Sequence, residues 1–200
     1  MREEILHKSK ELFLNLGFKS VTMDDIATSL GISKKTLYVH FKNKTALVEA
    51  VTLSVFEFIA HGINIICIKE ENPIKEIFEI KKFVTHFLNE EKSAPQYQLQ
   101  KYYPKIYATL KEKQFKVLEK CVKENLHKGV LLKLYRGGIN IEFVSRIYFH
   151  GVIGVKDQDL FPLKHFSMNE LMNLYLEYHL RAISTQIGIK HIENELKNNN

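Results

Sequence analysis

The stretch GISKKTLYVHFKNK, residues 31–44, places four lysines among apolar and aromatic side chains. No acidic residue occurs between Asp25 and Glu49, so the charge of this stretch is of one sign. Lysine can reach phosphate oxygens or the O6 and N7 atoms of guanine, and the hydroxyls of Thr36 and Tyr38 can hydrogen-bond phosphates or bases. These residue types favour binding to a polyanion.

The elements that position this stretch are two short helices joined by a tight turn. Thr22 can cap the first helix, with Asp25 completing a variant capping box, and Gly31 ends that helix. Ser33 is a good N-cap for the second helix. Residues 22–40 therefore have the sequence form of a helix-turn-helix, whose second helix enters the DNA major groove with its N-terminal residues.

Candidate DNA contacts lie on that second helix and at the helix starts beside it. Exposed N–H groups at a helix start favour anions, so the caps formed by Thr22 and Asn43 are predicted phosphate sites, with Lys44 adding charge. The residues that can reach bases or phosphates from the second helix are Lys34, Lys35, Thr36 and Tyr38, and those between the second helix and the next are His40 and Lys42. Taken singly, each could be an ordinary surface or core residue, but the joint pattern favours DNA binding.

Composition indicates a soluble, intracellular, all-helical protein. Of its 200 residues 45% are apolar, and the net charge of +6 is a weak indication of polyanionic partners. Glycine and proline are scarce, apolar residues recur at three- and four-residue spacing, and no segment is expected to approach the roughly 20 apolar residues of a membrane helix. We expect a cytoplasmic location without a signal peptide. Cys67 and Cys121 are far apart in sequence and lack a nearby metal-ligand pattern, so we expect buried thiols and not a disulfide, a redox pair or metal ligands; no cofactor and no metal is predicted.

The remaining helices are predicted from caps and breakers. Their expected limits are residues 2–16, Asn43 to Ile68, Pro73 to near Glu91, Tyr97–Tyr103, Pro104–His127 with Gly129 as the stop, Asn140 to about Val155, and one long final helix after a Ser167/Glu170 capping box. The segment KSAPQ, residues 92–96, is the predicted interruption after the fifth helix.

The run from Ile5 to Ala50 resembles the N-terminal domain of TetR-family transcriptional regulators. The likeness is carried by an apolar first helix ending in LGF, by VTMDDIATSLGIS, by T-L-Y-x-H-F and by N-K-x-x-L at the start of a long helix. The resemblance implies a homodimeric, all-α regulator, usually a repressor, that binds a palindromic operator in double-stranded DNA. Its implied domains are a three-helix helix-turn-helix DNA-binding domain, residues 1–46, joined by a continuous helix to a helical ligand-binding and dimerisation domain, residues 47–200.

The resemblance also implies roles for single residues. Thr22 and Lys44 would contact phosphates, and the residues on the DNA side of the third helix would be Lys34, Lys35, Thr36, Tyr38 and His40. Lys35 stands where many members have a small residue, which could add a contact or change base preference. Thr45 replaces a common acid, which weakens only the electrostatics of the helix start.

A small-molecule effector is expected to bind beyond residue 46. Its candidate contacts are polar residues on otherwise apolar helix faces: His61, Tyr103, Tyr107 and Gln114. For each of them an ordinary hydrogen-bonded core position is the alternative.

The last two long helices are expected to form the homodimer. The apolar stripe Met172, Leu176, Leu180, Ile183 and Ile187 would face the partner, and Gly151 with Gly154 would allow close approach. The alternative is that these faces pack within one subunit.

The leading hypothesis is a repressor released when a ligand tilts the fourth helix and changes the spacing of the two recognition helices. One alternative is a DNA-bound organising or adaptor protein with a protein partner in place of the ligand. Another is a helical enzyme or partner-binding protein with an incidental basic stretch. We find no Gly-rich phosphate loop, no G-x-S-x-G and no H-E-x-x-H, so we expect no enzyme.

Overall fold

A computed structural model describes residues 1–69, 72–88, 95–162 and 164–198. Its helices are α1 (Arg2–Leu16), α2 (Met23–Leu30), α3 (Lys34–His40), α4 (Lys44–Lys69), α5 (Pro73–Leu88), α6 (Pro95–Tyr102), α7 (Pro104–Leu131), α8 (Ile141–Gly154), α9 (Met168–Ile183) and α10 (Gln186–Asn198). No β-strand occurs in these ranges, and the only bridge there joins Tyr135 and Ser184. The predicted all-α class is confirmed.

The short N-terminal helices begin where their caps predict. The Thr22 backbone N–H donates to Asp25 Oδ2 at 2.8 Å, and the Asp25 N–H donates to Thr22 Oγ1 at 3.1 Å, so both halves of the capping box are present. The Thr36 N–H donates to Ser33 Oγ, and the Ala46 N–H donates to Asn43 Oδ1. Each cap satisfies an N–H group that a helix start leaves without a partner.

The chain forms two compact units. The first comprises Met1–Ile59 with Leu88–Lys113, and the second comprises Ala60–Phe87 with Gln114–Asn200. The core of the first unit includes Ile5, Phe13, Ile26, Leu37, Leu47 and Leu99. This division does not follow the predicted boundary at residue 46, and the limits of the functional domains stay a prediction.

Two predicted helix ends are wrong, and both errors involve the loop after α7. Gly129 does not stop α7; it lies inside the helix, where a Cβ atom would be 2.0 Å from the Tyr135 ring. The predicted final helix is broken between α9 and α10, because Thr185 donates its N–H to the Leu134 carbonyl and its hydroxyl to the Lys133 carbonyl. The predicted end of the fifth helix near Glu91 and most of KSAPQ lie outside the described residues.

Helix α4 contradicts the expectation about long apolar segments. Residues Lys44–Lys69 are long and apolar enough, by length and composition, to cross a membrane. Leu47, Val48 and Val51 are buried in the core of the first unit, which accounts for the apolar character of the first turns. One such helix is weak evidence for a membrane span, because core helices can have the same composition.

Candidate nucleic-acid interface

Helix α3 has an inner and an outer face. Leu37 is fully buried in the core of the first unit, and Phe41 directly after the helix is nearly so. Tyr38 and Val39 are 42% and 75% exposed. Lys34 and Lys35 in the leading turn are also exposed. The apolar residues of GISKKTLYVHFKNK thus separate into anchors and an outward surface, which Lys34, Lys35, Tyr38 and Val39 form.

An acidic group reaches this surface from α2. Lys34 Nζ lies 2.7 Å from Asp24 Oδ1 and 2.9 Å from Asp24 Oδ2. The hydrogen bond and the charge of Asp24 raise the pKa of Lys34, so its ammonium is firmly protonated. The absence of acids between residues 25 and 49 of the sequence therefore does not make the surface free of acids. DNA would have to compete with Asp24 for Lys34.

The capping hydroxyls are already engaged. Thr22 Oγ1 donates to Asp25 Oδ2 at 2.8 Å while accepting from the Asp25 N–H. The backbone and side-chain hydrogen bonds of Thr22 lower the pKa of Asp25, so its carboxylate is held charged beside the predicted phosphate site. Thr36 Oγ1 and Ser33 Oγ are hydrogen-bonded to each other at 2.8 Å. To accept a hydrogen bond from the Thr22 hydroxyl, a phosphate must therefore replace Asp25 as its acceptor.

The start of α4 is tied to the loop that follows α1. Lys44 Nζ donates to the Lys19 carbonyl at 3.4 Å, and partial burial lowers the pKa of Lys44.

Gly17, with a φ of 85°, closes α1 in a conformation that glycine tolerates best. A Cβ atom at Gly17 would be 2.4 Å from the side chain of Gln98, so glycine also makes room for α6.

The predicted DNA contacts therefore occupy four places. Lys34, Lys35, Thr36 and Tyr38 share the leading turns of α3, His40 lies half-buried at its last residue, and Thr22 and Lys44 lie at the starts of α2 and α4. Lys35 and Lys42 are exposed and have no ion-pair partner among the residues that the structure describes. The role of each of these residues at DNA stays a prediction.

The predicted effector contacts are distributed over both units. Tyr103 and Tyr107 are partly buried against the core of the first unit, and burial raises the pKa of Tyr103. His61 and Gln114 belong to the second unit, where His61 is exposed. Gln114 Oε1 is buried and has no hydrogen-bond partner among the described residues, which fits a polar group that a ligand could satisfy. Effector binding by these four residues stays a prediction.

The predicted dimerisation stripe is largely an internal surface. Leu176, Leu180 and Ile183 are buried in the core of the second unit, so they cannot also face a partner. Gly151 does allow a close approach, but to Tyr175 of α9 in the same chain, whose ring would lie 2.2 Å from a Cβ atom. The large apolar side chains that remain exposed on α8 and α9 are Phe143, Ile147, Leu174 and Tyr178.

Sequence reasoning missed a buried polar cluster in the second unit. The Sγ atoms of Cys67 and Cys121 and a carboxylate oxygen of Glu76 all lie within 4.8 Å of one another. Asn125 Nδ2 donates to Glu76 Oε1 at 2.8 Å, and Lys128 Nζ donates to Oε2 at 3.0 Å. Both cysteines are free thiols, and Cys121 is buried as expected, whereas Cys67 is only partly buried. Their separation of more than fifty positions gives no local signal of the contact.

Comparison with known proteins places the helix-turn-helix in a family. Residues 5–51 match the family "Bacterial regulatory proteins, tetR family". The biofilm operon icaADBC HTH-type negative transcriptional regulator IcaR of Staphylococcus aureus (strain Newman) is 30% identical over 88 residues. That match spans 44% of this chain and 46% of IcaR, less than half of either protein. The HTH-type transcriptional regulator YerO of Bacillus subtilis (strain 168) is 42% identical over 57 residues, which are 28% of this chain and 18% of YerO.

Solved structures extend the likeness to nearly the whole fold. A TetR-family regulator from Agrobacterium tumefaciens superposes with a TM-score of 0.73 at 15% identity, over 92% of this chain and 97% of that one. SmeT, the repressor of the Stenotrophomonas maltophilia multidrug efflux pump SmeDEF, gives 0.67 at 17% identity, over 93% and 91%. The helix-turn-helix residues are thus similar to the N-terminal domain of the TetR family of transcriptional regulators, and nearly the whole chain shares the helical fold of the solved structures.

Proposed function

We propose that this protein represses transcription by binding double-stranded DNA through the leading turns of α3. One observation carries the proposal. Leu37 of α3 is buried in the core, while Lys34, Lys35 and Tyr38 of the same helix face solvent, and the starts of α2, α3 and α4 are all capped. A helix with a buried inner face and an exposed outer face can enter a major groove while it stays packed on its core. Repression is supported by the relatives, since IcaR is a negative regulator and SmeT is a repressor.

We propose that the DNA-bound form is a homodimer on a palindromic operator. The exposed apolar side chains of α8 and α9 support this, because soluble proteins seldom leave several large apolar groups exposed together without a partner. The α8–α9 pair is itself well fixed, since the Tyr175 hydroxyl donates to the Tyr148 carbonyl at 2.9 Å. A symmetric pairing would present two α3 helices to half-sites about 34 to 36 Å apart, or multiples of that spacing.

A small-molecule effector would release the DNA by moving α6, which contacts the loop between α1 and α2. Gln98 of α6 accepts the Lys19 N–H at 3.2 Å, and the Lys19 ammonium lies 5.4 Å from the centre of the Tyr102 ring. The rings of Phe18 and Tyr103 also meet, with centres 6.3 Å apart. A shift of α6 would therefore displace the loop between α1 and α2. A solved complex of SmeT with triclosan supports a small molecule as the effector class.

The proposal is tested by selecting duplexes from a random library with the full-length chain. We expect a palindrome to be enriched, and its affinity to fall steeply with salt. If Lys35 binds a phosphate, Lys35→Gln should reduce the slope of log affinity against log salt concentration by about one. If Lys35 instead contacts a base edge, the variant should lose sequence preference at one operator position. Tyr38→Phe separates the hydroxyl contact from the packing of the ring.

The matched control is Lys190→Gln, which removes one exposed lysine from α10. It should leave both affinity and salt slope unchanged. Failure to enrich any sequence, together with equal losses for Lys35→Gln and Lys190→Gln, would contradict specific DNA binding by α3. Enrichment of a palindrome whose binding no small molecule alters would favour the adaptor protein instead.

A further inference from the structure

We propose that Cys67, Glu76 and Cys121 form a binding site for a thiophilic divalent metal ion such as Zn²⁺. The three residues come from α4, α5 and α7, so their approach results from the fold of the second unit and not from a local sequence motif. Their ligand atoms lie within 4.8 Å of one another. Two thiolates and a carboxylate form a donor set that zinc accepts.

The spacing is close to that of a metal centre. With a zinc–sulfur distance of about 2.3 Å, two thiolates of a tetrahedral site lie about 3.8 Å apart. Closing the cluster around an ion therefore requires side-chain movements of about 1 Å. Cys67 is only partly buried, so an ion can enter from its side, whereas Cys121 and Glu76 are buried.

The carboxylate is already held in one orientation. Glu76 accepts hydrogen bonds from Asn125 at 2.8 Å and Lys128 at 3.0 Å, and the Tyr135 hydroxyl in turn donates to Asn125 Oδ1 at 3.1 Å. Outer partners of this kind orient metal ligands and raise affinity. Each Glu76 oxygen keeps a second lone pair, so an ion can be bound without breaking these hydrogen bonds.

The charges of the cluster suit a divalent cation. When an ion binds, both thiol protons leave to solvent, and two thiolates with the Glu76 carboxylate face one divalent ion and the Lys128 ammonium. The three negative and three positive charges sum to zero, which limits the cost of burying these groups. The three ligands leave a fourth position for water or a small ligand, as in open zinc sites.

The experiment uses the reduced full-length chain and Co²⁺ as a spectroscopic substitute for Zn²⁺. We expect one Co²⁺ per chain, a thiolate-to-cobalt charge-transfer band, and loss of that band when Zn²⁺ is added. The chain has two cysteines, so such a band can arise only from Cys67 and Cys121. Zn²⁺ should also protect both thiols from alkylation. Metal binding is measured without DNA, so its outcome is independent of the proposed function.

Variants assign the ligands. Cys67→Ser should abolish the band and is the mildest change, because Cys67 is only partly buried. Asn125→Ala keeps all three ligands and should weaken binding by about tenfold to a hundredfold. Circular dichroism checks that each variant is folded. His150→Ala, a change of an exposed histidine of α8 outside the cluster, should leave the band unchanged.

Three results would overturn the metal site. The first is a reduced wild-type chain that binds Co²⁺ without a thiolate band. The second is metal binding of equal affinity in the folded Cys67→Ser variant. The third is purification of the chain with a Cys67–Cys121 disulfide that, once reduced, takes up no metal; that result would indicate a redox pair instead.

Discussion

Asp24 and Lys34 form an ion pair between the first turns of α2 and α3, with Lys34 Nζ 2.7 Å from Asp24 Oδ1. Both side chains are more than half exposed, so the pair contributes little to stability. Its importance lies in where it is, because it occupies a lysine on the surface proposed to meet DNA.

Asp24→Asn should tighten DNA binding. The change frees Lys34 and removes a negative charge that repels phosphates, so we expect the affinity for the selected duplex to rise about twofold to fivefold at moderate salt. Fluorescence anisotropy at several salt concentrations measures this. In a Lys34→Gln background the gain should largely disappear. An equal gain in both backgrounds would mean that Asp24 acts on DNA directly and not through Lys34.

Leu174→Asp combined with Tyr178→Asp should dissociate the proposed homodimer. Both residues are exposed on α9, at 58% and 73%, and charges placed there would be desolvated on association. Analytical ultracentrifugation should show a monomer for the double variant and a dimer for the wild type. Leu131→Asp, at an 80% exposed position in α7, is the control and should remain dimeric. A dimeric double variant would exclude this surface as the interface.

Stability should fall with pH on the acid side because of His179. Burial between Tyr148 and Tyr175 lowers the pKa of His179 from 6.5 to about 4. Between these pH values the unfolded chain binds a proton that the folded chain does not, so the free energy of unfolding decreases as the pH falls. The total loss is on the order of 3 kcal/mol.

Urea unfolding of the wild type and of His179→Leu, repeated from pH 7 to pH 4, measures this effect. The pH slope of the variant should be smaller, whatever its stability at pH 7. Equal slopes would show that His179 is not held neutral in the folded state.

Gly188→Ala should destabilise the second unit. A Cβ atom there would lie 2.2 Å from the Leu134 carbonyl oxygen, which is backbone and cannot rotate away. We expect a loss of about 1 to 3 kcal/mol, by thermal or urea unfolding. Gly137→Ala is the matched control, since nothing lies within 4 Å of its added methyl group. If both variants are equally stable, α10 does not pack closely on Leu134.

The sequence predicted those features whose signals lie within a few residues of one another. The caps at Thr22, Ser33 and Asn43 each act on an N–H group three positions on, and all three are present. The inward position of Leu37 also follows from helical spacing. The all-α class needed no more than the scarcity of glycine and proline together with the apolar periodicity.

Contacts that depend on the path of the chain could not be predicted. Thr185 breaks the last helix by bonding to Lys133, 52 positions earlier, and this contact leaves no local signal. Its hydroxyl also accepts the Gly188 N–H at 3.2 Å as a cap of α10, a local signal that the sequence analysis missed. The contact between Cys67 and Cys121 likewise requires knowing which faces of α4 and α7 meet. At the surface proposed to bind DNA, Asp24 is visible in the sequence, but its pairing with Lys34 depends on the angle of the turn at Gly31.

The ion pair of Glu76 and Lys128 constrains how this sequence can evolve, because Glu76 is buried while Lys128 is 32% exposed. Removing Lys128 alone leaves the buried carboxylate without its counter-ion, at a cost of up to about 3 to 5 kcal/mol, a large part of the whole stability of a typical domain. Removing Glu76 alone leaves an ammonium that can turn towards solvent, and removing both residues with apolar replacements would also cost far less. Descendants of this protein should therefore rarely lose Lys128 while they keep Glu76.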